Sequence, residues 1–89
     1  MNKVTIEEIN NIMEETKFHV NHLLDKSTVV VATLPNGFTI VESSGCVDPT
    51  NYNPELGESL CKKRIKDKIW YLEGYRLQQR LYEKEMRSK

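Results

Sequence analysis

Residues 27–45, STVVVATLPNGFTIVESSG, contain two runs of strand-forming residues on either side of a turn sequence. The first run is dense in β-branched side chains, and residues 38–43 have a similar composition. Pro35 presets the backbone for a turn, and Asn36-Gly37 supplies the positive φ values that a tight hairpin turn requires. The segment therefore predicts an antiparallel β-hairpin.

The sequence before this hairpin predicts an N-terminal helix over about residues 5–16. Thr5 is followed three residues later by Glu8, as in a capping box, and apolar residues recur at helical spacing. Between this helix and the hairpin, residues 18–20 can form a third strand at the sheet edge, but HVNHLL could equally extend the helix. The strands as a group are expected within residues 18–47.

A long C-terminal helix is predicted over about residues 54–87. Asn53 suits the N-cap and Pro54 the first helical position, and no proline follows. The expected apolar stripe consists of Leu56, Leu60, Ile65, Ile69, Leu72, Leu77 and Leu81. Gly74 is the expected site of a bend.

The length of this helix predicts assembly. About 33 residues at 1.5 Å per residue extend roughly 50 Å, which a sheet of two or three strands cannot cover. Aromatic residues on more than one face of the second half of the helix suit contact with another subunit. We therefore expect one α+β domain over residues 1–89, with a small antiparallel sheet and a kinked C-terminal helix, in an oligomer.

Composition restricts the class of protein. The 89 residues contain 13 Lys and Arg and 13 Asp and Glu, so the formal net charge is zero. A protein that binds nucleic acid over its whole surface normally has a large basic excess. The chain shows neither a membrane-spanning run nor a secretory signal, and two cysteines are too few for a disulfide framework. We expect a soluble intracellular protein with reduced thiols and no membrane contact.

Neither a catalytic site nor a metal site is predicted. His19, His22, Cys46 and Cys61 do not have the spacing of a compact zinc motif. No nucleophile signature supports a serine or cysteine beside either histidine, and the isolated glycines form no phosphate-binding loop. We expect a protein that is not an enzyme and has no metal or cofactor.

Residues 62–68, KKRIKDK, place five cations and one anion on two turns of the predicted helix. Arg64 and Lys68 share one face of that helix, and Lys62 and Lys66 share another. Because the cations repel one another, the cluster is either a solvated polar face or a site for an anionic partner.

Two neighbouring features favour an anionic ligand that contains a base. Phe38 follows the hairpin turn, where its ring is easily presented, although it could equally be a core residue. An aromatic ring beside an arginine is a common way to hold a base and a phosphate together. The polar turn at residues 48–51 adds hydrogen-bonding groups between the hairpin and the basic helix.

Four ordered motifs make residues 5–82 resemble a family of small tailed-phage and prophage proteins. The motifs are NGF, E-S-x-x-C-V-D-P, N-Y-N-P-E-L-G and K-I-W-x-L-E-G-Y-x-L. Within this family the pattern is similar to the phage anti-Thoeris sponge proteins, which sequester a cyclic isomer of ADP-ribose made by TIR-domain enzymes. The resemblance implies a hexamer with ligand pockets between subunits. It also implies that some members bind cyclic oligonucleotides of the CBASS system at separate sites.

The resemblance also implies roles for individual residues. Phe38 matches the ring that stacks on the base, and Arg64 matches a basic residue that binds the phosphates. Lys68 stands one turn later, where a second arginine would be expected, and lysine lacks the bidentate fork of arginine. Asp48 and Asn51 fall in the turn that would contact ribose or base edges.

The sequence thus predicts a phage anti-defence protein that sequesters a small anionic cyclic nucleotide in the cytoplasm of the infected bacterial host. A pyrophosphate with two negative charges needs a few cations and a ring, not a basic protein. Two alternatives remain open. One is a phage module that binds nucleic acid or a host protein through the same basic turns. The other is a phage structural or assembly protein whose basic face meets an acidic partner.

Overall fold

The computed structural model of the chain describes residues 2–88. In chain order it contains helix α1 (Ile6–Glu15), strands β1 (Lys17–Leu23), β2 (Ser27–Thr33) and β3 (Thr39–Gly45), a short 3-10 helix (Pro49–Asn51) and helix α2 (Pro54–Ser88). The strands form one antiparallel sheet in the order β1-β2-β3. The predicted α+β architecture is confirmed, and β1 excludes the alternative in which HVNHLL extends the first helix.

Both helices begin where local sequence signals predict. The Thr5 hydroxyl accepts a hydrogen bond from the Glu8 backbone N–H at 3.2 Å, and α1 begins at the next residue. Asn53 Oδ1 accepts from the Leu56 N–H at 3.1 Å, and Pro54 is the first residue of α2. Each cap satisfies one N–H that has no partner inside the helix.

The core lies between one face of the sheet and the helices. α2 packs across β2 and β3, and α1 packs against α2. Alternate residues of β2 are buried, as expected for a strand with one covered face. The buried apolar residues are Ile9, Val30, Ala32, Ile40, Cys61, Ile65 and Ile69.

The buried stripe of α2 differs from the predicted one. Its members are Gly57, Cys61, Ile65 and Ile69, each four residues after the last. Leu56 and Leu60, which the prediction placed in the stripe, are exposed. The prediction is confirmed for Ile65 and Ile69 and wrong for Leu56 and Leu60, because it weighed side-chain hydrophobicity and overlooked a glycine that lets the helix lie close to the sheet.

Gly57 lies directly against Thr28 of β2. A Cβ atom at position 57 would stand 2.5 Å from Thr28 Oγ1 and 3.1 Å from its Cβ, closer than side chains can approach. Thr28 itself is fully buried. This contact sets both the distance of α2 from the sheet and its rotation about its own axis.

α2 continues beyond the end of the sheet. Its 35 residues run without interruption through Gly74, and the chain measures 61 Å along its longest axis and about 20 Å across. After residue 76 the described side chains are exposed, except that Leu77 and Leu81 are partly buried. The bend at Gly74 and the oligomeric state stay predictions. Among residues 2–88 no helix combines the length and the apolar character that a membrane span requires.

The turn between β2 and β3 differs in detail from the predicted one. The Gly37 N–H donates to the Leu34 carbonyl at 2.8 Å, and Gly37 has a φ of 92°. Asn36 does not adopt positive φ, and its side chain instead accepts from the Phe38 N–H at 3.0 Å. Pro35 fixes the first central position at negative φ, so only the glycine after the turn takes the left-handed conformation.

The turn between β1 and β2 has a strained backbone that its sequence does not predict. Leu24 and Asp25 have φ values of 57° and 52°, and the Lys26 N–H donates to the Leu23 carbonyl at 3.2 Å. Two central residues with positive φ form a type I′ turn, which strongly prefers Asn-Gly. Leucine is poorly suited to this conformation because its Cβ crowds the backbone.

We predict that replacing Leu24-Asp25 with Asn-Gly raises the free energy of unfolding by about 1 kcal/mol, since both new residues tolerate positive φ. Urea denaturation measures the change. Val47→Asn is the control, because it also replaces an exposed apolar residue with asparagine but lies outside the left-handed region. Equal effects of the two changes would contradict the account of this turn.

We predict that Gly57→Ala lowers the free energy of unfolding by roughly 1–3 kcal/mol through overpacking against Thr28. Alanine is the better helix former, so intrinsic propensity alone gives the opposite sign. Gly45→Ala serves as the comparison, since a Cβ there is 3.4 Å from its nearest neighbour, the Ser27 hydroxyl. If calorimetry found the two alanine variants equally stable, this result would contradict the close contact between Gly57 and Thr28.

Candidate ligand-binding groove

A groove of about 400 Å³ lies between β3 and α2. It is lined by Phe38, Thr39, Ile40, Val41, Lys68, Tyr71 and Leu72. Positions 68, 71 and 72 share one side of the helix because they are three and four residues apart. The volume falls within the range of small-molecule sites, and the lining combines apolar surface with one cation.

Two aromatic rings stand exposed at this groove. Phe38 is 52% exposed and Tyr71 is 83% exposed. Phe38 is held by its backbone, whose carbonyl accepts from the Leu34 N–H at 2.8 Å. The alternative in which Phe38 belongs to the core is therefore excluded, and its ring is available to a ligand.

The two cations of α2 that face β3 already have partners within the chain. The Lys68 ammonium forms an ion pair with the Glu42 carboxylate, which is only 14% exposed. Arg64 Nη1 donates a hydrogen bond to the Ser43 carbonyl at 2.7 Å. Arg64, Lys68 and Glu42 together leave one net positive charge beside the groove.

The other side of the cationic cluster faces away from the groove. The Lys62 ammonium lies 2.8 Å from Glu58 and 5.0 Å from the centroid of the Phe18 ring. The hydrogen bond from Lys62 lowers the pKa of the Glu58 carboxyl. The seven-residue basic run is thus divided between two sides of the helix instead of forming one patch.

Asp48 and Asn51 lie at the opposite end of β3 from Phe38. The Asp48 carboxylate caps the 3-10 helix by accepting from the Thr50 N–H at 2.9 Å, and this hydrogen bond lowers the pKa of the Asp48 carboxyl. Asn51 borders a separate cavity of about 130 Å³ that also contacts Cys46 and Tyr52. Seven strand residues at about 3.4 Å each separate the two ends by roughly 24 Å. One chain therefore brings Phe38 and Lys68 together, with Arg64 one turn away, but not Asp48 or Asn51.

The histidines and cysteines have separate local roles. His22 Nδ1 lies 2.6 Å from the Tyr52 hydroxyl, which donates to the Ser27 carbonyl at 3.0 Å. The Cys46 thiol donates to the Asp48 carbonyl at 3.2 Å, whereas Cys61 is fully buried, which raises the pKa of its thiol. Within residues 2–88 no three His, Cys, Asp or Glu side chains are placed to share a metal ion.

Sequence reasoning missed Tyr71, which lines the groove, and Glu42, which pairs with Lys68 beside it. Tyr71 stands three residues after Lys68, a helical spacing that would have placed it on the same side. Glu42 lies in a strand and faces α2, a proximity that only the sheet register reveals, since Val30 and Glu42 are paired. The first could have been found from the sequence, and the second could not.

The chain matches the family model of the phage protein (N4 Gp49/phage Sf6 gene 66) family over residues 4–81. The matched region contains α1, all three strands, the groove and most of α2. Comparisons with curated proteins and with solved structures give no match. Because the family match spans nearly the whole chain, the protein belongs to the N4 Gp49/phage Sf6 gene 66 family of phage proteins.

Proposed function

We propose that this phage protein binds a small anionic cyclic nucleotide and sequesters it without cleavage. The observation that carries the proposal is the groove between β3 and α2, where two exposed rings flank a lysine. The resemblance to the anti-Thoeris sponge proteins suggests the ligand, a cyclic isomer of ADP-ribose, with CBASS cyclic oligonucleotides as further candidates. The site of action is then the cytoplasm of the infected bacterium.

The groove residues have complementary roles toward such a ligand. A purine can stack on Phe38 or Tyr71, and stacking on an aromatic side chain contributes about 1–3 kcal/mol per base. Lys68 lines the groove with both rings, Arg64 stands one helical turn before it, and both contact β3. A phosphate would replace the Ser43 carbonyl as the partner of Arg64 and share Lys68 with Glu42.

The charge of the ligand exceeds the net charge beside the groove, which supports a site that a second copy of the chain completes. A pyrophosphate carries two negative charges, whereas Arg64, Lys68 and Glu42 supply one net positive charge. We propose that a neighbouring copy in a homo-oligomer, a hexamer by resemblance, supplies the remaining contacts. Asp48 and Asn51 of that copy are candidates, because within one chain they lie at the far end of β3.

The arrangement of the cations favours a small ligand over a nucleic-acid polymer. A polymer that crosses a protein surface needs cations spaced along one track. Here Arg64 and Lys68 face β3, while Lys62 lies beside Phe18 and Glu58. Polymer binding would show an affinity that rises with chain length and falls steeply with salt.

We predict that Phe38→Ala, Arg64→Ala and Lys68→Ala each weaken binding of the cyclic ADP-ribose isomer by at least tenfold, or about 1.4 kcal/mol. Isothermal titration calorimetry measures the affinity. Lys66→Ala is the matched control, since it removes the same charge two residues away on another side of α2. An equal loss of affinity in all four variants would favour the polymer alternative. Unchanged affinity in the Phe38, Arg64 and Lys68 variants would show that the groove is not the binding site.

Glu42→Gln provides a control of opposite sign. Removing this carboxylate frees Lys68 and raises the net charge beside the groove by one unit, so affinity for a dianionic ligand should increase. The same change should have no effect on a ligand that binds elsewhere. A decrease in affinity would mean that the phosphates do not lie near Lys68.

We predict that ligand incubated with the protein is recovered intact after denaturation. The proposal assigns only stacking, ion pairing and hydrogen bonding to the groove, and none of these breaks a bond. Mass spectrometry of the released ligand after prolonged incubation checks this, with ligand incubated alone as the reference. Appearance of a hydrolysed product at a rate above the reference would show that the protein is an enzyme.

A further inference from the structure

β3 is an edge strand, and its hydrogen-bonding pattern shows which backbone groups point away from the sheet. In an antiparallel pair, one residue turns its N–H and C=O toward the neighbouring strand and the next residue turns both away. The Phe38 carbonyl accepts from the Leu34 N–H at 2.8 Å. The Cys46 N–H donates to the Lys26 carbonyl at 2.9 Å. Both bonds continue the β2–β3 register, so even-numbered residues of β3 face β2 and odd-numbered residues face the free edge.

The free edge opens into the groove at Thr39 and Val41. Both residues line the groove, and both are odd-numbered. The Ser43 carbonyl, which belongs to the same set, already accepts from Arg64 at 2.7 Å. The outward N–H and C=O groups of Thr39 and Val41 have no hydrogen-bond partner among residues 2–88. A ligand that displaces water from this part of the groove must therefore hydrogen-bond to them itself.

This free stretch suits a small planar molecule better than an added strand. A peptide that extends a sheet pairs with several successive residues of the edge strand. Here Arg64 occupies the Ser43 carbonyl, and Phe38 at the other end faces β2. Two outward residues remain, about 7 Å apart, with donors and acceptors in alternation. The edge of a nucleobase presents donors and acceptors at this scale.

The cations of α2 fix the direction in which a nucleotide lies along β3. Arg64 contacts the Ser43 carbonyl, and Lys68 pairs with the residue before it, so phosphates that they bind lie toward this end of the strand. The ribose joins the phosphates to the base and points the same way. On the Hoogsteen edge of a purine, N7 is near the ribose and the substituent on C6 is farther away. The C6 substituent then meets the Thr39 carbonyl, and N7 meets the Val41 N–H.

We propose that this backbone pair selects adenine, with the N6 amine donating to the Thr39 carbonyl and N7 accepting from the Val41 N–H. Adenine presents a donor and an acceptor on its Hoogsteen edge, whereas guanine presents two acceptors. With guanine or hypoxanthine, O6 would face the Thr39 carbonyl, and neither oxygen carries a proton to share. The inference rests on the proposed function and adds the base and the edge of it that the groove recognises.

Ligand analogues test the selection without altering the protein. Isothermal titration calorimetry compares the cyclic ADP-ribose isomer with its hypoxanthine, 7-deazaadenine and 1-deazaadenine counterparts. We expect the first two analogues to bind at least tenfold more weakly, because each leaves a backbone group without a partner. The 1-deaza analogue is the matched control and should bind within twofold of the parent, since N1 lies on the other edge.

The outcomes separate this inference from the proposed function. If the parent binds but the hypoxanthine or 7-deaza analogue binds equally well, the adenine selection is wrong and sequestration stands. Loss of affinity with the 1-deaza analogue alone would show that the Watson–Crick edge is recognised instead. If the parent does not bind, both proposals fail.

Amide hydrogen exchange locates the contact. Thr39, Val41 and Gly45 are odd-numbered, so their N–H groups should exchange quickly in the free protein. We expect the parent ligand to slow exchange at Val41 at least tenfold and to leave Gly45, which lies outside the groove, unchanged. A Val41 N–H that is protected without ligand, or that gains no protection with it, would overturn the proposal.

Val41→Pro removes the proposed donor, and proline is tolerated where the N–H of an edge strand faces away from the sheet. We expect this variant to bind the parent and the 7-deaza analogue with equal, weakened affinity, since N7 no longer has a donor. Val41→Thr is the control, because it keeps the N–H and should keep the preference for the parent. A tenfold preference that persisted in Val41→Pro would contradict the assignment of N7 to Val41.

Discussion

The close contact between Gly57 of α2 and Thr28 of β2 determines how the rest of the molecule is arranged. It fixes the rotation of α2, so that Cys61, Ile65 and Ile69 follow Gly57 into the core. With this stripe facing inward, the side chains at 64 and 68 turn toward β3. Lys62, on another side of the helix, lies over the Phe18 ring. A single close approach thus assigns different surroundings to successive faces of one helix.

This rotation explains why a neutral chain gathers five cations on two turns of helix. Their repulsion is reduced because the cations meet different groups: Lys68 meets Glu42, Arg64 meets the Ser43 carbonyl, and Lys62 meets Glu58 and the Phe18 ring. On the side that faces β3, Lys68 lies beside the exposed Phe38 and Tyr71 rings. The ligand proposal therefore rests on that side alone, with its modest net charge.

Features that depend on local sequence were predicted well, and features that depend on packing were not. The caps at Thr5 and Asn53 require only neighbouring residues, as does the β2–β3 hairpin around Pro35. The start of the buried stripe of α2 was predicted wrongly at Leu56 and Leu60, because it depends on a glycine whose importance appears only against Thr28. The strained turn at Leu24-Asp25 was missed because its residues are atypical of its geometry. In the site, Phe38 and Lys68 meet across a short stretch of sheet, but Asp48 lies beyond its far end.

Native mass spectrometry of the intact protein, with and without the cyclic ADP-ribose isomer, decides whether α2 completes its surface with further copies of the chain and, beside β3, with a small anionic ligand. We expect an assembly of more than one copy that gains a fixed whole number of ligands, each at the mass of the unmodified molecule. A monomer that gains no ligand mass would contradict this expectation.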